Sequence, residues 1–236
     1  MRKPSSAPRC VLVFARAPLG EARAKRLPAA RELFECARAR VMAAAAASGA
    51  DVVVATPDAP GPVPPGTRTL AQRGDSFAER LRSAFADARR LGYREIVVVP
   101  ADVPGLRAHH LRGAFRRLRG HSTVLGPSPD GGVYLLGIRG DFVAVLAGVP
   151  WCTPRVFARL LANARGAAVL APLADVDGHP HLRALRADPG LDAEVASIVA
   201  ALLARATLVR PRPASVAPAG PRRAPFAARP PPPTAA

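Results

Sequence analysis

Three short apolar runs constrain the fold more than anything else in the chain: CVLVFA (10–15), DVVVAT (51–56) and EIVVVP (95–100). Each is rich in β-branched residues and lacks the polar–apolar alternation of a strand with one wet face, so each reads as a strand buried on both sides. Helical patterns separate them. ARELFECARARVMAAAAASG (30–49) is made of strong helix formers and meets Gly49 where a helix is expected to stop. Over 75–92, Phe77, Leu81, Ala84, Phe85 and Ala88 recur on one face at the 3.6-residue period. Further strands are expected at 67–72, 122–127, 132–138 and 167–172, with helices over 107–119 and 153–163 and two short ones within 179–205. Alternation of this kind predicts an α/β domain: a mostly parallel mixed sheet with helices on both faces. The domain is expected over 1–206. From Thr207 the chain turns to RPRPASVAPAGPRRAPFAARPPPPTAA, a Pro/Arg/Ala-rich tail with little to bury, expected to be disordered over 207–236.

Composition removes several function classes. No apolar run reaches the roughly 18–20 residues of a membrane-spanning helix, and Cys10–Ala15 is too short for a signal-peptide core. Cys10, Cys36 and Cys152 are odd in number and widely spaced, which indicates neither a disulfide framework nor a zinc site; a cytoplasmic location is expected. The formal charge of +17 invites a nucleic-acid partner. Yet only Lys3 and Lys25 are lysines, and arginine with abundant Ala, Pro and Gly is what a GC-rich coding sequence yields. The arginines are dispersed along helices without interleaved aromatics, so a nucleic-acid partner is not expected, whereas small anionic substrates suit the same charge.

Ligands of open α/β sheets collect beyond the carboxyl ends of the strands. Segments 16–27, 100–105, 127–132 and 173–178 fall there, each carrying charged or glycine-rich material. In IVVVPADVPGL a buried strand runs into one acid, Asp102, held between Pro100 and Pro104. That acid is either a local turn former or a ligand for a metal ion or sugar hydroxyl. In SPDGGVYLLG the Asp-Gly pair is a common hairpin tip, and glycines there also permit close approach of a ligand.

The segments VFARAPLGEARAKRL, AERLRSAF, VVVPADVPGL, VLGPSPDGGVYLLGI, VPWCT and DVDGHPHL fall in order over residues 10–185. Together they resemble a bacterial family of GT-A-type glycosyltransferases, the arsenosugar-biosynthesis and selenodomain-associated transferases. That family is similar to nucleotide-diphospho-sugar transferases and, more distantly, to 2-phospho-L-lactate guanylyltransferase. The resemblance implies a single GT-A-like domain and a transferase using a nucleotide-activated donor, most simply a glycosyltransferase acting on a small-molecule acceptor.

Residue by residue, the resemblance makes Asp102 the aspartate after the central strand, which helps hold Mg²⁺ or Mn²⁺ on the nucleotide diphosphate. Asp175 and Asp177 match the two acids of the family's Asp-Val-Asp-Thr-Pro-Glu-Asp-Leu element and would complete the metal site or cap the next helix. Gly178, His179, Pro180 and His181 depart from that element, and the two histidines read as surface loop. Asp130 would assist catalysis or bind a sugar hydroxyl, with Gly131, Gly132, Tyr134 and Trp151 lining the donor or acceptor; Trp151 is equally suited to the core. Arg16, Arg23, Lys25, Arg26 and Arg80 would hold the nucleotide. In the family's Pro-Leu-Pro-Gly-Arg-Val-Lys-Thr-Arg-Leu loop, Arg26 aligns directly, while the lysine falls on Ala24 with Lys25 beside it. Either Lys25 and Arg23 reach the phosphates from shifted positions or the loop binds less well. Arg80 alternatively makes an i, i+4 pair on its own helix.

The expected partners are thus a nucleotide sugar or a nucleoside triphosphate and a small acceptor. A nucleotidyltransferase releasing pyrophosphate and a non-catalytic nucleotide-binding protein of the same fold are the alternatives.

Overall fold

Seven strands pair into one sheet: β1 (Arg9–Phe14), β2 (Asp51–Thr56), β3 (Arg68–Ala71), β4 (Glu95–Pro100), β5 (Thr123–Pro127), β6 (Val133–Arg139) and β7 (Ala168–Val169), in the order β3-β2-β1-β4-β6-β5-β7. The computed structural model describes residues 8–187 and 191–208, without the side chains of Pro28, His179, Ala206, Thr207 and Leu208. β1 to β4 are parallel, β5 is parallel to β7, and β6 runs antiparallel to both β4 and β5.

The two-residue period of a strand divides the apolar runs between two cores. Val11 and Val13 of β1 and Val97 and Val99 of β4 face one side, where α2 (Arg31–Ala46) and α4 (Ala108–Leu118) pack through Val41, Met42, Leu111, Phe115 and Leu118. Cys10, Leu12, Ile96 and Val98 face the other, against Leu81, Ala84 and Phe85 of α3 (Phe77–Arg90). Beside α3 on that face lie α5 (Phe142–Leu146) and α6 (Val156–Asn163), through Val145, Leu146, Val156 and Leu160. Each fully buried Val, Leu or Ile contributes about 1.5–3 kcal/mol, so two covered faces explain why no alternation is visible in the strands. α3 starts where Ser76 accepts from the Glu79 N–H and the Glu79 carboxylate accepts from the Ser76 N–H, a reciprocal cap.

A third apolar cluster lies off the sheet. Ala22 of α1 (Pro18–Ala24), Leu27, Leu33 and Phe34 meet Val176, Leu182 and Leu185 of α7 (His179–Arg186), and Val195 and Val199 of α8 (Ala193–Leu208). This cluster ties the segment after β1 to the segment after β7.

The structure departs locally from the sequence expectation. Residues 16–27, expected as loop, contain α1: Pro18 occupies the first turn, where its missing N–H costs nothing, and good helix formers follow Gly20. α5 was not expected; the Asp141 carboxylate caps it by accepting from the Val143 N–H at 2.8 Å. Of the strand expected at 167–172, only Ala168–Val169 pairs with β5. The tail expected over 207–236 begins inside α8, which ends at Leu208, and from residue 209 it lies outside the described residues.

Candidate active site

The carboxyl edge of the sheet gathers acids from three separate segments around one lysine. β4 ends at Pro100, and the chain turns so that Asp102 is buried, 4% exposed. Its backbone carbonyl accepts from the Val176 N–H at 3.0 Å, which docks the segment 173–178 directly on it. Lys25, one residue beyond α1, donates to Asp102 Oδ2 at 2.8 Å and makes a second ion pair with Asp177 Oδ1. Glu21, one turn earlier on α1, lies 3.8 Å from the same ammonium. The third apolar cluster makes this possible, because Ala22 and Leu27 flank Lys25 on one side of it and Val176 separates Asp175 from Asp177 on the other.

One ammonium does not satisfy this group. Asp102 Oδ1 is fully enclosed and has no hydrogen-bond partner among the described residues. Burial first, then the charges of Asp102 and Asp130, push the Asp175 carboxyl up to about 6. Burial and the Asp102 charge likewise push Glu21 upward, against the pull of Lys25 and Arg16. Lys25 itself moves upward: burial opposes its charge, but attraction and hydrogen bonding from Asp102 outweigh it. A buried carboxylate oxygen with nothing to accept from is costly, about 1–3 kcal/mol or more, so a cation or donor brought to it would relieve that cost.

Near it, Asp175, Asp177 and His181 bring three candidate ligand atoms within 4.8 Å of one another, a group that does not include Asp102. Hard carboxylate oxygens suit Mg²⁺ or Mn²⁺, and an imidazole shifts preference toward Mn²⁺ and later metals. His181 Nδ1 accepts from the Asp177 N–H at 2.9 Å, so as placed it caps the start of α7. Sequence reading set His181 aside as surface loop; its i+4 spacing from Asp177 on a helix start was the available signal. Glu21 was also passed over, although it lies at i, i+4 from Lys25.

The other expected site residues divide into two sets. Arg16 is half-buried at the edge, with Arg38 donating to its carbonyl at 3.3 Å and the Asp58 carboxylate holding the Ala17 N–H at 2.9 Å. Arg23 is exposed, as is Arg26 at φ 56°. Asp130 closes the β5–β6 hairpin by accepting from the Gly132 N–H at 2.9 Å, and its charge reaches Asp175. Beside it the Ser128 hydroxyl is buried without a partner among the described residues, a second unsatisfied group on this edge.

The remaining residues serve packing. Tyr134 was expected to line the donor or acceptor, but it is 1% exposed and its hydroxyl donates to the Ala171 carbonyl at 3.2 Å. Its ring fills the space a side chain at Gly126 would need, so it presents no face to a ligand. Gly131, at φ 88°, would place a Cβ 2.1 Å from the Pro154 carbonyl oxygen; its glycine is required by the neighbouring turn rather than by a sugar. A Cβ on Gly132 would lie 3.1 Å from Asp130 Oδ1, so this glycine accommodates the hairpin's own carboxylate. Trp151 packs on Phe77 at 5.3 Å between ring centroids, and Phe77 on Phe14 at 5.4 Å, extending the core. Arg80 donates to the Asp75 carbonyl at 3.0 Å, tying down the start of α3 rather than pairing along the helix.

Residues 29–153, more than half of the chain, match the model of a family described as uncharacterised proteins conserved in bacteria, DUF2064. The chain belongs to this family. A 3-phospho-D-glycerate guanylyltransferase of Phenylobacterium zucineum (strain HLK1) is 41% identical over 81 residues, 34% of each chain. A 2-phospho-L-lactate guanylyltransferase of Methanocaldococcus vulcanius is 25% identical over 72 residues, 30% of this chain and 32% of that one. The matched segments thus span about a third of these curated relatives. Among solved structures, a protein of Desulfovibrio desulfuricans G20 provisionally named a nucleotide-diphospho-sugar transferase superimposes with a TM-score of 0.70 at 21% identity. That match covers 85% of this chain and 98% of that one. Rv0371c of Mycobacterium tuberculosis H37Rv, solved with manganese, gives a TM-score of 0.51 at 17% identity over 75% and 97% of the two chains. The DUF2064 chain therefore has the fold of these nucleotide-diphospho-sugar-transferase-like proteins. Among its described residues no helix is long and apolar enough to cross a membrane.

Proposed function

We propose that this chain, over residues 1–206, is a metal-dependent transferase that acts on a nucleotide-activated donor at the carboxyl edge of its sheet. We further propose nucleotidyl transfer from a nucleoside triphosphate to a small phosphorylated acid as its reaction. The observation that carries the reading is the buried Asp102 carboxylate, one oxygen unpartnered, which Lys25 links to Asp177 and whose charge reaches Asp175. The curated relatives are named for guanylyl transfer to 3-phospho-D-glycerate and 2-phospho-L-lactate, which supports nucleotidyl over glycosyl transfer and guanine as the base.

Asp102, Asp175 and Asp177 would hold a divalent cation, with His181 able to join them if it releases the Asp177 N–H. Bound there, Mg²⁺ or Mn²⁺ supplies neutralisation of the triphosphate charge that builds as the leaving group departs. Lys25, once free of these carboxylates, would turn with Arg16, Arg23 and Arg26 to bind the phosphates; Arg80, bound to Asp75, is assigned no such role. An acceptor phosphate oxygen attacks the α-phosphorus, the bond from that phosphorus to the β-phosphate oxygen breaks, and pyrophosphate leaves. A phosphate monoester is largely deprotonated near neutral pH, so no general base is required and positioning carries much of the rate. Asp130, at the hairpin tip facing Asp175, would orient the acceptor's hydroxyl or the ribose.

The test is a product assay on the purified chain with Mn²⁺, nucleoside triphosphates and a panel of phosphorylated hydroxy acids. Pyrophosphate release with a nucleotide-linked product, lost by on the order of 10²-fold or more in Asp102→Asn, is expected. Free nucleoside diphosphate from nucleotide sugars would establish glycosyl transfer instead, the reading favoured by the likeness to the D. desulfuricans structure. Nucleotide binding that Asp102→Asn abolishes, with no turnover on either panel, would establish the non-catalytic alternative.

A further inference from the structure

The opposite, amino edge of the sheet carries a second charged concavity. A cavity of about 490 Å³ is lined by Arg9 at the start of β1, Arg112, Arg116 and Arg119 of and just after α4, and Arg139 at the end of β6, with Ser48, Glu95 and Phe115. β4 is six residues long, which separates this edge from the Asp102 loop by about 20 Å. The cavity is therefore not part of the candidate active site.

Five guanidinium groups surround one carboxylate here, and none of the five makes an ion pair among the described residues. By contrast Arg31, Arg40, Arg73 and Arg90 each find an aspartate or glutamate within 4.0 Å, which the single carboxylate of this cavity does not provide for any of its five. Two of the five are fixed by the fold. Arg9 donates to the Gly49 carbonyl at 3.0 Å and lies over the Phe115 ring, and Arg112 donates to the Ala47 carbonyl at 2.9 Å. The side chains of Arg116, Arg119 and Arg139 make no hydrogen bond or ion pair among the described residues and leave all their donors available. The negative end of the α4 dipole opposes an anion at this place, but partial charges of about one half are outweighed by five full ones.

We propose that this cavity is a binding site for an inorganic polyphosphate, of which pyrophosphate and triphosphate are the smallest members. The guanidinium fork matches phosphate oxygens two at a time, and several forks converging from different elements select a ligand with several anionic groups. A volume of about 490 Å³ exceeds what one phosphate needs and suits two or three linked ones. The concave shape of the site favours a small anion over a nucleic-acid backbone, which calls for an extended basic stripe. The site is independent of the proposed reaction.

The experiment is calorimetric titration of the full chain with tripolyphosphate, in EDTA at fixed moderate salt, with three comparisons. Arg116→Ser/Arg119→Ser is expected to bind about tenfold or more weakly while melting at the same temperature, since neither side chain has a partner to lose. Lys25→Met, which alters the carboxyl edge, is expected to bind within about twofold of wild type. Citrate, similar in charge but built of carboxylates, is expected to bind more weakly than tripolyphosphate. The proposal is overturned if wild type does not bind, or if the double variant binds as wild type does. Loss of affinity in Lys25→Met, citrate binding equal to tripolyphosphate, or a short DNA duplex binding more tightly would each overturn it as well.

Discussion

The two edges of this sheet handle charge in opposite ways. At the carboxyl edge, acids from α1, the loop after β4 and the segment before α7 are drawn inward and share one lysine, leaving a buried oxygen unmet. At the amino edge, arginines stand around a cavity with a single glutamate and no ion pair among the described residues. The first arrangement needs an apolar cluster to hold it, because like charges brought together in partial burial repel. The second needs only strand ends and one helix, because its charges stay in water. A net charge of +17 describes neither edge. A basic cavity and a buried acidic cluster lie one strand length apart, and only folding separates them.

If the third apolar cluster is what assembles the acidic edge, damaging it should affect that edge alone. Leu182 is 1% exposed within the cluster, so Leu182→Ala should cost about 2–5 kcal/mol of stability in denaturant unfolding. Hydrogen exchange should rise in 16–27 and 173–187 while the amides around the arginine cavity stay protected. Equal loosening at both edges would break the comparison. Lys25→Met sharpens it further by removing the ammonium that the described acids share. Without a divalent ion the variant should be less stable by about 1–3 kcal/mol, the lower part of the range for breaking a buried pair, since Lys25 is partly exposed. Added Mn²⁺ should raise its melting temperature more than that of wild type, because the cation no longer competes with Lys25. An equal rise in both proteins would mean that lysine and metal use different oxygens.

The sheet was legible because β-branched runs without alternation have few alternatives in a chain of this length, and the amphipathic period of 75–92 leaves α3 little freedom. Asp102, Asp175 and Asp177 were legible as a group only through their resemblance to a family pattern; their convergence depends on Val176 and Leu182 packing against Ala22, a contact no local pattern announces. The conformation of the N-terminal basic segment was hidden for a related reason. Expected as a loop, it contains a helix, and Lys25 just beyond that helix is directed inward at carboxylates. Tyr134 and Gly131 misled because an aromatic beside glycines resembles a binding surface, while here the ring fills the space over Gly126 and Gly131 makes room for Pro154. The arginine cavity was invisible in sequence: Arg9, Arg112 and Arg139 are far apart in the chain, and only the alignment of Arg9, Glu95 and Arg139 across β1, β4 and β6 brings them together.

α4 joins the two edges, and its two ends offer the mildest test of their difference. Its amino end follows the Asp102 loop and carries His110, whose Nδ1 accepts from the Arg107 N–H at 3.0 Å; its carboxyl end carries the arginines. Burial first, then the positive charge on His109 and Arg107, lower the His110 imidazole to about 4, and the Tyr134 ring lies edge-on beside it. A histidine whose folded pKa lies below its unfolded value of about 6.5 binds fewer protons when folded. Its contribution to stability is therefore complete above pH 6.5 and is lost as the pH falls from there through 4. Allowing for partial contact with solvent, the loss should be on the order of 1–2 kcal/mol. His110→Gln, which keeps an acceptor near the Arg107 N–H and cannot titrate, should show a flatter stability curve between pH 6.5 and 4 in denaturant unfolding. Hydrogen exchange should place the wild-type acid loosening at the amino end of α4 and the Asp102 loop, with the arginine end unchanged. If the loosening appears first among the arginines, repulsion at the amino edge governs acid stability, and the carboxyl edge is the sturdier of the two.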